Sequence, residues 1–269
     1  MNSFYALFVF SFLLSFLRTS TTLETITLSQ PIRDGDTLIS AGGSFALGFF
    51  SPGSSKGRYV GIRYVVSNGT VEWVANRETP LGNYNGVLKV TEKGILVLLD
   101  STTNTTVWSS NNTSRIAGNN PTVQLLDSGN LVVKDGNISD SEKLFWQSFD
   151  YPCDTLLLEM KIGWDLVSGL DRNLTSWKST ENPAQGEFSG RIDLRGLPQL
   201  LAKKGDKIKT RAGSWNGLHF TGWPWLRPNP FFKFEFVLNE KEIYFEYKYK
   251  LPSNYAFLRY VLNIRITIK

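Results

Sequence analysis

Leu88-Lys-Val-Thr-Glu-Lys-Gly-Ile-Leu-Val-Leu-Leu-Asp100 and Val123-Gln-Leu-Leu-Asp-Ser-Gly-Asn-Leu-Val-Val-Lys-Asp135 are two copies of one pattern. Gly94 matches Gly129 and Asp100 matches Asp135, both at an offset of 35. Each copy runs on to a tryptophan, Trp108 in Val-Trp-Ser-Ser-Asn and Trp146 in Phe-Trp-Gln-Ser-Phe; Trp73, in Glu-Trp-Val-Ala-Asn, lies 35 residues before Trp108. The short apolar runs Val87–Val90, Ile95–Leu99, Val123–Leu126 and Leu131–Val133 are bounded by Gly, Asn, Asp and Ser, which marks strands and turns. A period of this length also suits helical solenoids. No segment beyond the N-terminal apolar run carries an apolar stripe of helical spacing and length, which excludes them. Three β units that each end in a tryptophan imply three small sheets around one axis. None could bury its apolar face alone, so the indoles and the Leu/Val rows must share a core.

The second half has different punctuation, with Trp164, Trp177 and Trp215. Phe232–Leu238 and Ile243–Tyr249 alternate in polarity and are joined by Asn239-Glu-Lys-Glu242, which predicts a hairpin. Lys203, Lys204, Lys207, Lys209 and Arg211 straddle Gly205-Asp206 and read as the solvated face of another hairpin, with a phosphate- or acid-binding patch as the alternative. In the tail, Ile264, Ile266 and Ile268 alternate with polar residues as a strand does.

Phe4–Leu17 is a run of fourteen residues interrupted only by Ser11 and Ser15, followed by small residues up to Thr22. It fits a secretory signal peptide over residues 1–22 and is shorter than the roughly 18–20 residues of a membrane span. Six Asn-x-Ser/Thr acceptors, at Asn68, Asn104, Asn111, Asn112, Asn137 and Asn173, agree with export and glycosylation. A mature chain of roughly 245 residues holds one large or two modest domains. The formal charge of +5, from 29 basic and 24 acidic residues, is too small and dispersed for a nucleic-acid partner. The lone Cys153 can form no internal disulfide. It is either a small turn residue or a thiol open to an intermolecular bridge.

Between the halves lies Leu144-Phe-Trp-Gln-Ser-Phe-Asp-Tyr-Pro-Cys-Asp-Thr-Leu156. With Met160-Lys-Ile-Gly-Trp-Asp165 and Ala212-Gly-Ser-Trp-Asn-Gly-Leu-His-Phe220 it resembles the extracellular part of plant S-domain (G-type lectin) receptor-like serine/threonine kinases and the S-locus glycoproteins. Ile32-Arg-Asp-Gly-Asp-Thr-Leu38 and Gly43-Ser-Phe-Ala-Leu-Gly-Phe-Phe-Ser-Pro-Gly53 resemble the start of their bulb-type lectin domain. The resemblance covers about Leu23 to Pro252. It implies an all-β chain: a bulb-lectin-type threefold β-prism over 23–150, then the S-locus glycoprotein region over 151–269, an incomplete second lectin-like module that stops before the family's cysteine-rich modules. The implied role is extracellular recognition, as in self/non-self pollen recognition or immune signalling. Implied partners are a secreted peptide or glycan, a full-length receptor kinase or a second copy. The alternative is a fragment of a receptor kinase whose catalytic domain lies outside this chain.

Catalytic signals are sparse. The Gly-rich loop, Val-Ala-Ile-Lys, His-Arg-Asp and Asp-Phe-Gly elements of a kinase are missing from the sequence. His219 has no neighbours at metal-ligand spacing, so neither a metal nor a cofactor is expected. Asp34, Asp36, Asp150 and Asp154, beside Gly35 and Pro152, read as turn residues. Mannose-binding bulb lectins carry Gln-x-Asp-x-Asn-x-Val-x-Tyr in each repeat. In the repeat ending at Asp135 these positions are Leu126, Ser128, Asn130, Val132 and Lys134, so only Asn130 and Val132 remain. In the repeat ending at Asp100 they are Thr91, Lys93, Ile95, Val97 and Leu99. No intact copy can be located in the first repeat. The sequence therefore predicts a lectin scaffold with eroded mannose sites.

Overall fold

The computed structural model describes residues 22–66, 70–110, 120–137, 144–223, 230–250 and 258–263. The expected signal segment 1–22, except for its last residue Thr22, and the alternating tail at 264–268 lie outside them. Among the described residues strands dominate, and the single helical turn is a 3-10 segment at Ser148–Asp150.

Three antiparallel three-strand units follow one another. Phe45–Phe50, Tyr59–Tyr64 and Thr70–Val74 make the first; Gly86–Val90, Leu96–Asp100 and Thr105–Ser109 the second; Pro121–Leu125, Leu131–Asp135 and Leu144–Gln147 the third. The N-terminal segment supplies a further strand to every sheet. Thr25–Ile26 pairs with the third unit, Ile32–Arg33 with the second, and Thr37–Ile39 with the first. Eighteen residues of chain, from Thr22 to Ile39, thus fasten all three sheets together.

The ladders fix an equivalence between the units. Ile62 faces Trp73, Leu98 faces Trp108, and Val133 faces Trp146. Ile62, Leu98 and Val133 are each fully buried. The three indoles meet edge to face with every pair of ring centroids 6.0 Å apart. Each such pair contributes about 0.5–1.5 kcal/mol beyond the area it buries. The repeated glycines have a backbone reason. Gly94 and Gly129 take φ of 70° and 86°, a region open mainly to glycine. They close matching turns, through Gly94 N to Thr91 O at 2.8 Å and Gly129 N to Leu126 O at 2.9 Å.

Beyond the prism are two four-stranded sheets. One orders Leu170–Arg172, Ile162–Asp165, Glu242–Tyr249 and Phe232–Leu238; the other is a meander of Leu174–Ser179, Asn182–Asp193, Gln199–Lys204 and Lys207–Ser214. Both expected hairpins are present. Leu238 pairs with Ile243 in the first, and Lys204 with Lys207 across the Gly205 turn in the second. Phe220, Phe234, Phe236 and Phe245 pack as an aromatic cluster with ring centroids 5.5–6.2 Å apart in the contacting pairs. Thr155–Leu156 pairs with Tyr260–Val261, which ties the late chain back to the residues just after the prism.

Side chains from the prism reach into the following sheets. Arg77, which is buried, donates from Nε to Pro183 O at 2.7 Å, from Nη1 to Thr175 Oγ1 at 2.8 Å, and from Nη2 to Ser176 O at 3.0 Å. Trp73 Nε1 donates to Tyr151 O at 2.8 Å. The buried carboxylate of Glu72 is paired with Arg259. These contacts give partners to Arg77, to the Trp73 indole and to one carboxylate oxygen of Glu72, groups that packing would otherwise leave buried and unpaired; Glu72 Oε2 has no partner among the described residues.

Candidate functional site: eroded lectin positions and an aromatic cleft

The Trp-facing register places the first repeat that the sequence left unassigned. Counting outward from Ile62 as from Val133, the five sugar-site positions become Ser55, Gly57, Tyr59, Gly61 and Arg63. None reproduces the lectin set. Tyr59-Val-Gly-Ile-Arg63 has no Gly-x-Leu-Val signature, so only its pairing with the Trp73 strand reveals the equivalence.

The two survivors in the third unit are occupied by the fold. Asn130 is 6% exposed and Val132 1%. Asn130 Nδ2 donates to Gln147 Oε1 at 2.9 Å, while its Oδ1 accepts from Ser148 Oγ and from Phe149 N, each at 3.2 Å. The carboxamide straps the Leu131–Asp135 strand to the 3-10 turn.

The carboxylates read as turn residues divide. Asp36 does cap a turn, accepting from Arg33 N at 2.9 Å. Asp34 instead takes a bidentate pair from Arg58, at 2.6 and 2.7 Å, and Asp150 accepts from Arg172 Nε at 2.6 Å. Distant arginines compete successfully for these side chains, which local sequence could not reveal. Asp154 is raised to about 6, chiefly because burial disfavours its charge. His219 is held in a tight turn with Nδ1 2.9 Å from Phe220 O. Cys153 is 2% exposed. Its sulfur accepts from Val74 N at 3.3 Å, and burial pushes the thiol up to about 11. It is therefore inaccessible to an intermolecular disulfide in the folded chain.

Where the prism meets the next sheets is a cleft of ≈ 440 Å³, lined among others by Trp108, Trp146, Tyr151, Arg77, Asp171 and Asn173. Tyr151 is 48% exposed and stacks on Trp146 with centroids 5.9 Å apart. Asp171 pairs through Oδ2 with Arg191, while its buried Oδ1 has no partner among the described residues. Sequence reading singled out the tryptophans as core and missed Arg77 and Asp171, which stand in no motif.

Of the six glycosylation acceptors, Asn68, Asn111 and Asn112 lie outside the described residues. Asn104 is exposed in the turn after Leu96–Asp100, at φ 54°. Asn137 is exposed just beyond Leu131–Asp135, its N–H donating to Asp135 Oδ1 at 3.0 Å. Asn173 lies in the cleft. No helix among the described residues is long and apolar enough to cross a membrane.

Comparison with known proteins finds relatives that match most of this chain. Residues 70–178 match the D-mannose binding lectin family. The receptor-like serine/threonine-protein kinase SD1-8 of Arabidopsis thaliana is 37% identical over 255 residues, covering 94% of this chain and 30% of that protein. The S-locus-specific glycoprotein S6 of Brassica oleracea is 38% identical over 244 residues, covering 90% of this chain and 55% of its own length. This chain thus spans between about a third and about half of these relatives. Among solved structures, the mannose-specific agglutinin of snowdrop (Galanthus nivalis) bulbs aligns over 45% of this chain and 96% of its own, at 18% identity and a TM-score of 0.32.

Proposed function

Because this chain is a homologue, over nearly all its length, of S-locus glycoproteins and of S-domain receptor kinase ectodomains, we propose that it is an extracellular recognition module. Residues 23–150 are its bulb-type lectin domain and 151–269 its S-locus glycoprotein region. The lectin fold serves as scaffold, and the three mannose-type positions no longer bind sugar. One observation carries this last point: Asn130, the sole polar survivor of the lectin set in the three equivalent positions, spends its carboxamide on Gln147, Ser148 and Phe149. A hydroxyl could displace those contacts only by leaving buried donors unpaired, at about 1–3 kcal/mol each.

The ligand is then a secreted peptide or a glycan held on another surface, and a full-length receptor kinase or a second copy is the natural protein partner. The chain is non-catalytic in this reading. Phosphotransfer in its kinase relatives would rest on residues beyond the portion it matches. Expression in plant cells tests the address: the product should appear in the medium, start near residues 21–23, and shift in mobility on glycosidase treatment. A cytosolic product of full length, without a shift, overturns it.

A further inference from the structure

We propose that Asn173 is a modification site coupled to assembly: its N-linked glycan is attached before the prism docks on the following sheets, and is then enclosed in the cleft between them. This rests on the exported reading above.

The acceptor Asn173-Leu-Thr175 joins the strand Leu170–Arg172 of one sheet to Leu174–Ser179 of the other. In the folded chain Asn173 and Thr175 are half-buried, and both of their side chains are engaged. Thr175 Oγ1 accepts from Arg77 Nη1 at 2.8 Å, Thr175 O from Arg77 Nη2 at 3.3 Å, and Thr175 N donates to Cys153 O at 2.8 Å. Asn173 Nδ2 donates to Asp171 O at 3.2 Å and to Asp171 Oδ2 at 3.3 Å. Arg77 and Cys153, which hold the threonine, are themselves buried. An enzyme that must bind the asparagine amide and the threonine hydroxyl has to displace these contacts, and the partner that holds the hydroxyl, Arg77, belongs to the docked prism.

Transfer forms a bond from Asn173 Nδ2 to the sugar C1. It breaks the C1–O bond of a polyprenyl-diphosphate-linked oligosaccharide, and the diphosphate leaves as one amide proton is released. Nδ2 keeps one proton, enough for one of its two contacts with Asp171. The first sugars then enter a cleft of ≈ 440 Å³, a volume typical of small-molecule sites. Trp108 and Tyr151 offer apolar ring surface there. Asn104 is the internal contrast. It and Thr106, the third residue of its acceptor, are both exposed on a hairpin.

The test uses full-length protein secreted from cells that make only high-mannose glycans. Endoglycosidase H is applied to native and to denatured protein, and glycopeptides around Asn104 and Asn173 are quantified by mass spectrometry. In native protein the Asn173 glycan should be released roughly tenfold or more slowly than that of Asn104, as release requires local opening. After denaturation the two rates should coincide. Arg77→Ala should bring the native Asn173 rate toward that of Asn104; if this variant is not secreted, the wild-type comparison still decides. Equal native rates overturn the proposal. So does an unmodified Asn173 beside a modified Asn104, which leaves export intact. Absence of glycan at both sites overturns export and this inference together.

Discussion

Asn130 Oδ1 accepts from Ser148 Oγ and Phe149 N in a buried corner of the third sheet. Asn130→Ala leaves both donors without a partner, and at about 1–3 kcal/mol for a buried unpaired group the variant should lose about 2–4 kcal/mol. A urea midpoint equal to that of the parent would contradict this. Cys153 makes a second residue-scale prediction. Its thiol, raised by burial from 9.0 to about 11, lends stability that is fully present below pH 9.0 and is lost as pH rises through about 11. A thiol reagent at mildly alkaline pH should therefore react with it only after denaturant is added; rapid labelling of native protein would refute the burial. Asp154 is also raised, from 3.8 to about 6, by burial first, with Glu72 reinforcing and Arg77 opposing. Its linked stability is present below pH 3.8 and lost as pH rises through about 6. Asp154→Asn should then stabilise the protein by about 1–2 kcal/mol at neutral pH and flatten the pH dependence across that window. Unfolding curves of the two proteins at several pH values check it. The sequence marked Asn130 by its place in a lectin pattern. That the fold consumes the side chain depends on Gln147 to Phe149, which no spacing rule connects to it.

Strands were legible where polarity alternates or a motif repeats. Leu96–Asp100 and Leu131–Asp135 were visible from their shared Gly-x-Leu-Val core, and Phe232–Leu238 from its alternating aromatics. The two-residue strands Thr25–Ile26 and Ile32–Arg33 were not, because a pair of residues carries no period; their pairing is set by the sheets they join. Gly163 shows a similar dependence on tertiary context. Its φ is 139° and a Cβ there would lie 2.1 Å from Ile243 O on the paired strand. Gly163→Ala should thus break the pairing of Ile162–Asp165 with Glu242–Tyr249 and cost at least about 2 kcal/mol. Unfolding monitored by tryptophan fluorescence would show the loss as a lowered midpoint, and an unchanged midpoint would refute the crowding.

The period of tryptophans announced the whole-molecule plan, a core of Trp73, Trp108 and Trp146 on one axis. The docking of the prism on the following sheets was invisible in the sequence. It depends on Arg77, Glu72 and Arg259, charged residues in no pattern that find partners more than ninety positions away. Arg77→Ala removes donors to three carbonyls and a hydroxyl. It should cost about 2–4 kcal/mol and let a protease cut between the prism and the sheets; cleavage at the parental rate would argue against the docking. In the proposed reading the lectin scaffold persists while its sugar chemistry is gone from all three sheets. Calorimetric titration of the deglycosylated protein with methyl-α-mannoside tests it most directly. A millimolar site has only about 4 kcal/mol in total, and the lost polar partners exhaust it, so no measurable heat of binding is expected at millimolar sugar. Submillimolar binding that Asn130→Ala abolishes would contradict it.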